Sequence, residues 1–296
     1  MPVEFSLPSF AKINWSLRIL GKRGDGFHEL FTMFQTVSLH DTLHFVESAT
    51  LKLTCDDANI PTDSRNLIIK AATALREVAD VQKGAQIHLE KRIPSPGGLG
   101  GGSSNAAVAL IGLNRLWNAG VGEEELYGIA AALGSDVPFF LHGGTAIGTG
   151  RGEVIEPTPD VNERFLLIVT PDAGVSTKQA YERLNVPTLT NSDANSIVRV
   201  WCFEAESPDL CHSILINDLE PCVFDAFPEI AKVKRALLDL NVINAAMSGS
   251  GASVFAIFEK QETRQAAIKA LDHESTWRKF AVATISRYEY REALGI

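Results

Sequence analysis

Between Ser95 and Leu110 the chain reads SPGGLGGGSSNAAVAL: five glycines in six residues, two serines, then an apolar run at helical spacing. Glycine costs backbone entropy, so this density points to a backbone that must fold closely around something. The strand-like AQIHLEKRI precedes the glycines and a helix follows them. The free N–H groups of such a helix start, and its dipole, favour an anion, so the segment reads as a phosphate cradle. Ser103 and Ser104 can cap the helix or donate hydroxyls to phosphate. A Walker loop is excluded because Ser103 stands where its lysine must be. The dinucleotide fingerprint G-x-G-x-x-G ends on Ser103 or Asn105 instead of glycine, which excludes a Rossmann dehydrogenase. A plain flexible loop would not flow straight into a well-formed apolar helix.

Three other places carry groups able to do chemistry. Lys12 and Asn14 lie two residues apart in FAKINWSL and leave the same face of a strand. By pattern alone they are a solvated lysine and a polar strand residue. By pattern alone Asp136 in GSDVPF reads first as a turn or N-cap aspartate and only second as a general base. Phe27 and His28 are adjacent in a loop. They read either as a core anchor beside a solvated histidine, or as an aromatic platform with an edge reader.

These groups need elements to hold them. Ile13, Trp15, Leu17 and Ile19 alternate with polar residues as a half-buried strand, and GKRGDG ends it. TLHFVE and TLKLTC alternate in the same way. DSRNLIIKAATALREV predicts a helix capped by Asp63 or Ser64, SNAAVALIGLNRLW a second, and GEEELYGIAAALG a third with acids in its first turn. RFLLIVTP is a buried strand, followed by helical STKQAYERL, PEIAKVKRALLDL and TRQAAIKALDH, with strand-like ASVFAIF and KFAVATISR between them. The breaker-rich GRGEVIEPTPD is the expected boundary between domains 1–156 and 157–296. Strands and helices mix with few regular strand–helix–strand units, which favours α+β over a doubly wound sheet.

The bulk numbers are those of an ordinary globular chain: 296 residues, 45% hydrophobic, 21% charged, with a formal net charge of −9. The acidic balance and the lack of a basic stripe argue against a nucleic-acid binder. No apolar run reaches the roughly 18 residues a membrane span needs, and the N-terminus lacks signal-peptide features. A cytoplasmic protein with no membrane partner is expected. Cys55, Cys202, Cys211 and Cys222 form no Cys-x-x-Cys and the histidines show no ligand spacing, so reduced, mostly buried thiols and no structural metal site are expected.

Three segments together resemble the GHMP kinases. PSPGGLGGGSSNAA is similar to their phosphate loop, FAKINWSL to their N-terminal strand motif, and AAMSGSGASVFAIF, with Ser248 to Gly251 as its turn, to their C-terminal glycine motif. Two positions depart from the pattern: Phe10 stands where proline is usual, and Pro96 where glycine is common. The resemblance implies the two-domain GHMP kinase fold: an N-terminal nucleotide-binding domain, a C-terminal α/β-sandwich, and an active site in the cleft between them. It implies ATP as phosphoryl donor, Lys12 and Asp136 as the catalytic pair, and an acceptor alcohol near Asn14. It places ATP on Pro94, Ser95, Pro96, Gly97, Gly98, Leu99, Gly100, Gly101, Gly102, Ser103 and Ser104, with Asn66, Leu67, Lys91 and Arg92 near the adenine. Mg2+ should accompany ATP, yet no carboxylate stands out as its ligand; Ser103, Ser104, or water and phosphate alone remain open.

GKRGDGFHEL and LGSDVPFFL narrow the resemblance to members that phosphorylate a cytidine-diphosphate-linked polyol in the non-mevalonate route to isoprenoids. Phe27 would then stack on cytosine, His28 read its edge, and Tyr181 close the other side. The nearest rivals are homoserine- or mevalonate-type kinases, which have no cytidine to hold, and a non-catalytic nucleotide-binding regulator, which would not need both Lys12 and Asp136. Monomer and homodimer both remain open.

Overall fold

Everything at the centre of the molecule hangs on one long antiparallel hairpin, β1 (Glu4–Lys22) with β2 (His28–Ser48). The computed structural model describes residues 3–184 and 215–296; Cys202 and Cys211 lie outside them. TLHFVE is not a separate strand but the end of β2. One half of β2 pairs with β5 (Thr145–Thr149) and the other with β4 (Gly84–Glu90), so the strand stays extended while its neighbour changes. β3 (Lys52–Cys55) runs parallel to β4, β6 (Val154–Pro157) pairs with β5, and the two-residue β8 (Ile216–Asn217) lies parallel to β1. A second, antiparallel sheet has the order β11 (Arg278–Val282), β7 (Leu166–Thr170), β10 (Val254–Ile257), β9 (Asn244–Met247).

Alternation along β1 sorts its side chains. Ala11, Ile13 and Trp15 enter an apolar layer shared with Leu166 and Ile168 of β7 and Phe255 and Ile257 of β10, which binds the two sheets together. The opposite face of the first sheet carries α1 (Leu67–Ala79), α2 (Gly101–Trp117), α3 (Glu123–Leu133) and the single turn α4 (Phe139–His142). The second sheet's outer face is covered by α5 (Thr177–Glu182), α6 (Glu220–Ala226), α7 (Pro228–Leu238) and α8 (Gln261–Ala270).

Three local expectations need correction. The cap of α1 is Asn66, whose side chain accepts from Ile68 N, while Asp63 pairs with Arg65. α2 starts inside the glycines, with Gly100 as N-cap at φ +70°, so Ser103 and Ser104 are helical residues and not caps. KFAVATISR is not one strand: β11 stops at Val282 and Ser286 caps α9 (Arg287–Leu294), through a reciprocal bond with Glu289. α9 returns to the first half of the chain, where Tyr290 and Leu294 are fully buried. Cys55 and Cys222 are free and half-buried.

Candidate active site

β1, the β1–β2 turn, the glycine loop, the turn before α4, α5 and the Ser248–Gly251 turn converge on one cleft of about 790 Å³. Lys12 sits on its floor. Strand alternation aims Lys12 away from the Ile13 layer, and the chain covers that face too, leaving it 3% exposed. A lysine buried this deeply needs partners. Its ammonium lies 3.4 Å from Asp136 Oδ2 and donates to Asn14 Oδ1 at 2.7 Å. Asn14 in turn donates to Thr32 Oγ1 at 2.7 Å, and Thr32 donates to the Ser16 carbonyl. The chain Thr32–Asn14–Lys12–Asp136 therefore fixes where the ammonium points. Thr32 is a member that sequence patterning does not reveal, because it joins Asn14 only through the register of β1 and β2. Asp136 is a third exposed to the cleft, open to a ligand on one side and to Lys12 on the other.

The glycine loop is clamped from two directions. The Leu99 carbonyl accepts from Lys12 N at 2.9 Å, and its side chain is buried between the sheets. The Gly98 carbonyl accepts from Ser248 Oγ at 2.9 Å. Gly98 has φ +70°, and a Cβ there would lie 2.1 Å from the Ser248 carbonyl oxygen, so only glycine fits. Pro94 through Ser103 line the cleft, as does Leu67, and the N-terminus of α2 opens into it. The remaining residues assigned to ATP by resemblance sit elsewhere. Ser104 is fully buried and accepts from Ser9 Oγ. Asn66 is occupied as the α1 cap. Lys91 is buried under the loop, where its ammonium pairs with Asp41 at 2.9 Å and donates to the Ile93 carbonyl. Burial pushes the Lys91 ammonium below its ordinary pKa, against the pull of Asp41. Arg92 offers its carbonyl to Arg278.

At the far end of the cleft Phe27 is 54% exposed, an unusual state for a large apolar ring. The Arg151 guanidinium lies 4.9 Å from its centroid, paired with Glu153. His28 packs against Tyr181 with ring centroids 5.4 Å apart. Burial, and less so the Lys22 ammonium, lowers the His28 pKa. Burial, then the Asp136 charge, raises that of the Tyr181 phenol. Arg151 is a further cleft residue that the sequence hides inside what reads as a chain of breakers. Among the described residues no group of three or more His, Cys, Asp or Glu could hold a metal, and no helix is long and apolar enough to cross a membrane.

The model of the GHMP kinases N terminal domain matches residues 66–144, and that of the GHMP kinases C terminal domain matches 203–275. A 4-diphosphocytidyl-2-C-methyl-D-erythritol kinase of Chlorobium limicola is 42% identical over 87% of this chain and 89% of its own length. One of Thermodesulfovibrio yellowstonii is 38% identical over 88% and 92%. A crystal structure of 4-(cytidine 5'-diphospho)-2C-methyl-D-erythritol kinase superposes with a TM-score of 0.75 at 32% identity, covering 95% of this chain and 99% of that one.

Proposed function

Since the chain belongs to the GHMP kinase family, and within it to the 4-diphosphocytidyl-2-C-methyl-D-erythritol kinases, we propose how its own residues carry out that reaction. The chain is a kinase that moves a phosphoryl group from ATP to a hydroxyl of 4-diphosphocytidyl-2-C-methyl-D-erythritol, in isoprenoid biosynthesis. The proposal adds that the product is the 2-phosphate, on the non-mevalonate route, made in the cytoplasm. It assigns ATP phosphates to the backbone of Gly97–Gly102 and the hydroxyl of Ser103, with Leu67 against the adenine. It also divides the chain at 156/157 into an ATP-binding and a substrate-side domain.

The observation that carries the assignment is the Lys12–Asp136 pair at 3.4 Å on the floor of the cleft into which α2 opens. Phosphoryl transfer asks a protein for positioning, charge stabilisation and a group to take the nucleophile's proton. Asp136 receives the proton of the acceptor hydroxyl. Lys12 orients Asp136 and lowers the cost of negative charge on the acceptor oxygen. Asn14 holds the lysine and offers its amide edge to the acceptor. Ser103, whose side chain lines the cleft, would hold Mg2+ together with the ATP phosphates and water, an ion that keeps several of its waters. When bound, it neutralises charge on the transferred phosphoryl group. Phe27, His28 and Tyr181 take the cytosine.

ADP release tests the reading. The wild-type protein, with ATP and Mg2+, should phosphorylate the cytidine-diphosphate-linked polyol and leave the free polyol, homoserine and mevalonate untouched. Asp136→Asn should fold normally and lose about two to four orders of magnitude in turnover, the usual worth of a general base. Equal rates on the free polyol, or near-wild-type turnover in the variant, would refute it.

A further inference from the structure

The turn Ser248–Gly251 touches both halves of the machinery. A Cβ built on Gly249, whose φ is +54°, would lie 3.1 Å from Lys12 Nζ and 3.0 Å from the Gly98 carbonyl oxygen. The turn therefore forms a wall against the lysine ammonium and the glycine loop at once. Turn carbonyls have no ladder partner, and buried ones need a donor. Here the donor comes from far away in sequence. Asn217, 5% exposed, donates one amide hydrogen to the Met247 carbonyl at 2.8 Å and the other to the Gly249 carbonyl at 2.7 Å. Its own oxygen accepts from Leu219 N at 2.9 Å. Both donors of the amide are used, and neither a carboxylate nor a hydroxyl can supply both.

Asn217 is itself anchored to the strand that carries Lys12. β8 pairs with β1 at Ser16 and Leu17, Asp218 N donates to the Leu17 carbonyl at 2.9 Å, and Asp218 Oδ2 accepts from Ile19 N at 2.9 Å. Glu220 adds a second tie by accepting from Met247 N at 2.8 Å. Strand, amide and turn thus close a ring around Lys12: β1 bears the lysine, β8 rides on β1, Asn217 holds the turn, and the turn packs on the ammonium.

We propose that Asn217 is a positioning residue for phosphoryl transfer: it sets how tightly the Gly249 turn presses on Lys12, and so where the ammonium points between Asn14 and Asp136. It acts through Lys12 and touches neither substrate. This rests on the role given to Lys12 above.

A kinetic double-mutant cycle with the full-length protein tests it, with Asn217→Ala, Asn217→Ser, Lys12→Ala and the doubles assayed for ADP release from ATP and the cytidine-linked polyol. Misplacement of a catalytic group by such a remote change can cost about 100-fold. Asn217→Ala should lower kcat about 10- to 100-fold, with both KM values held within about threefold. In the Lys12→Ala background the same change should lower kcat no further, because the group it positions is gone. Asn217→Ser, which keeps one donor, should fall between wild type and Asn217→Ala. Equal kcat losses in both backgrounds, unchanged kcat in a folded Asn217→Ala, or failure of both Asn217 variants to fold would overturn the proposal, the last because the residue would then serve the fold alone. If Lys12→Ala by itself leaves kcat unchanged, the role of Lys12 fails, a result distinct from additivity in the cycle.

Discussion

At the scale of the residue, the site depends on groups whose environment differs from what their types predict. A lysine on an alternating strand should be solvated, yet Lys12 is buried and paired. His28 is the residue whose environment makes a pH-dependent prediction. Its pKa is depressed in the folded protein, first by burial and then by Lys22, so it is neutral above pH 6.5, its ordinary value. The sign follows from linkage: a depressed base binds its proton less readily when folded, so its stabilising share is present above the unfolded pKa and is lost as pH falls through the folded one. If the neutral ring reads cytosine, the KM for the cytidine substrate should be flat above pH 6.5 and rise only below it. Lys22→Met should move that inflection upward. A titration of KM with an inflection above 6.5, or one indifferent to Lys22, would remove His28 from the substrate site.

At the scale of the element, the glycine loop separates two kinds of glycine. A Cβ on Gly101 would meet Ile93 Cγ2 at 3.0 Å and Lys91 Nζ at 3.3 Å, beneath the loop. Gly101→Val should therefore lower the melting temperature, whatever it does to ATP. Gly102 is exposed to the cleft, and its Cβ would meet only Leu67 Cδ1 at 3.8 Å. Gly102 is the second residue of α2 and has open space where a side chain would go, so Gly102→Leu meets no clash and stability should hold. Its side chain would occupy the phosphate side. A hydrogen bond to a charged group contributes about 1.5–3 kcal/mol, so the KM for ATP should rise tenfold or more while that for the polyol stays near normal. Calorimetric melts beside steady-state kinetics check both variants. An unchanged KM for ATP in Gly102→Leu would move the phosphates elsewhere.

At the scale of the whole molecule, the two sheets are not independent halves. The Ile13 layer is shared between them, β8 returns to β1, and α9 returns to the helices on the first sheet. Tyr290 of α9 is fully buried, and its hydroxyl donates to the Phe140 carbonyl in the turn that follows Asp136. Removing a buried ring of this size costs about 3–5 kcal/mol. Tyr290→Ala should thus destabilise the nucleotide side of the molecule by that amount in urea unfolding, although the residue lies near the other end of the chain. A loss below about 1 kcal/mol, the range of a surface position, would show that α9 is not part of this core.

Local chemistry was legible without coordinates. The glycine density, the serines after it and the alternation of FAKINWSL pointed to a phosphate cradle ahead of a helix, and the motifs together pointed to the family that the relatives then established. These are short-range signals, and hydrophobic period and turn chemistry record them directly. What the sequence left open was set by long-range pairing. Whether Lys12 faces water or Asp136 depends on packing against Phe34 and on a turn at Gly249 more than two hundred residues away. The family resemblance places Lys91 near the adenine, whereas in the fold its ammonium pairs with Asp41 of the neighbouring strand. Ser103 and Ser104 look alike in the sequence, but one helical step turns the first to the cleft and the second into the core. Side-chain partners across strands are fixed by register and by the return of distant segments, and no local pattern in one chain encodes either.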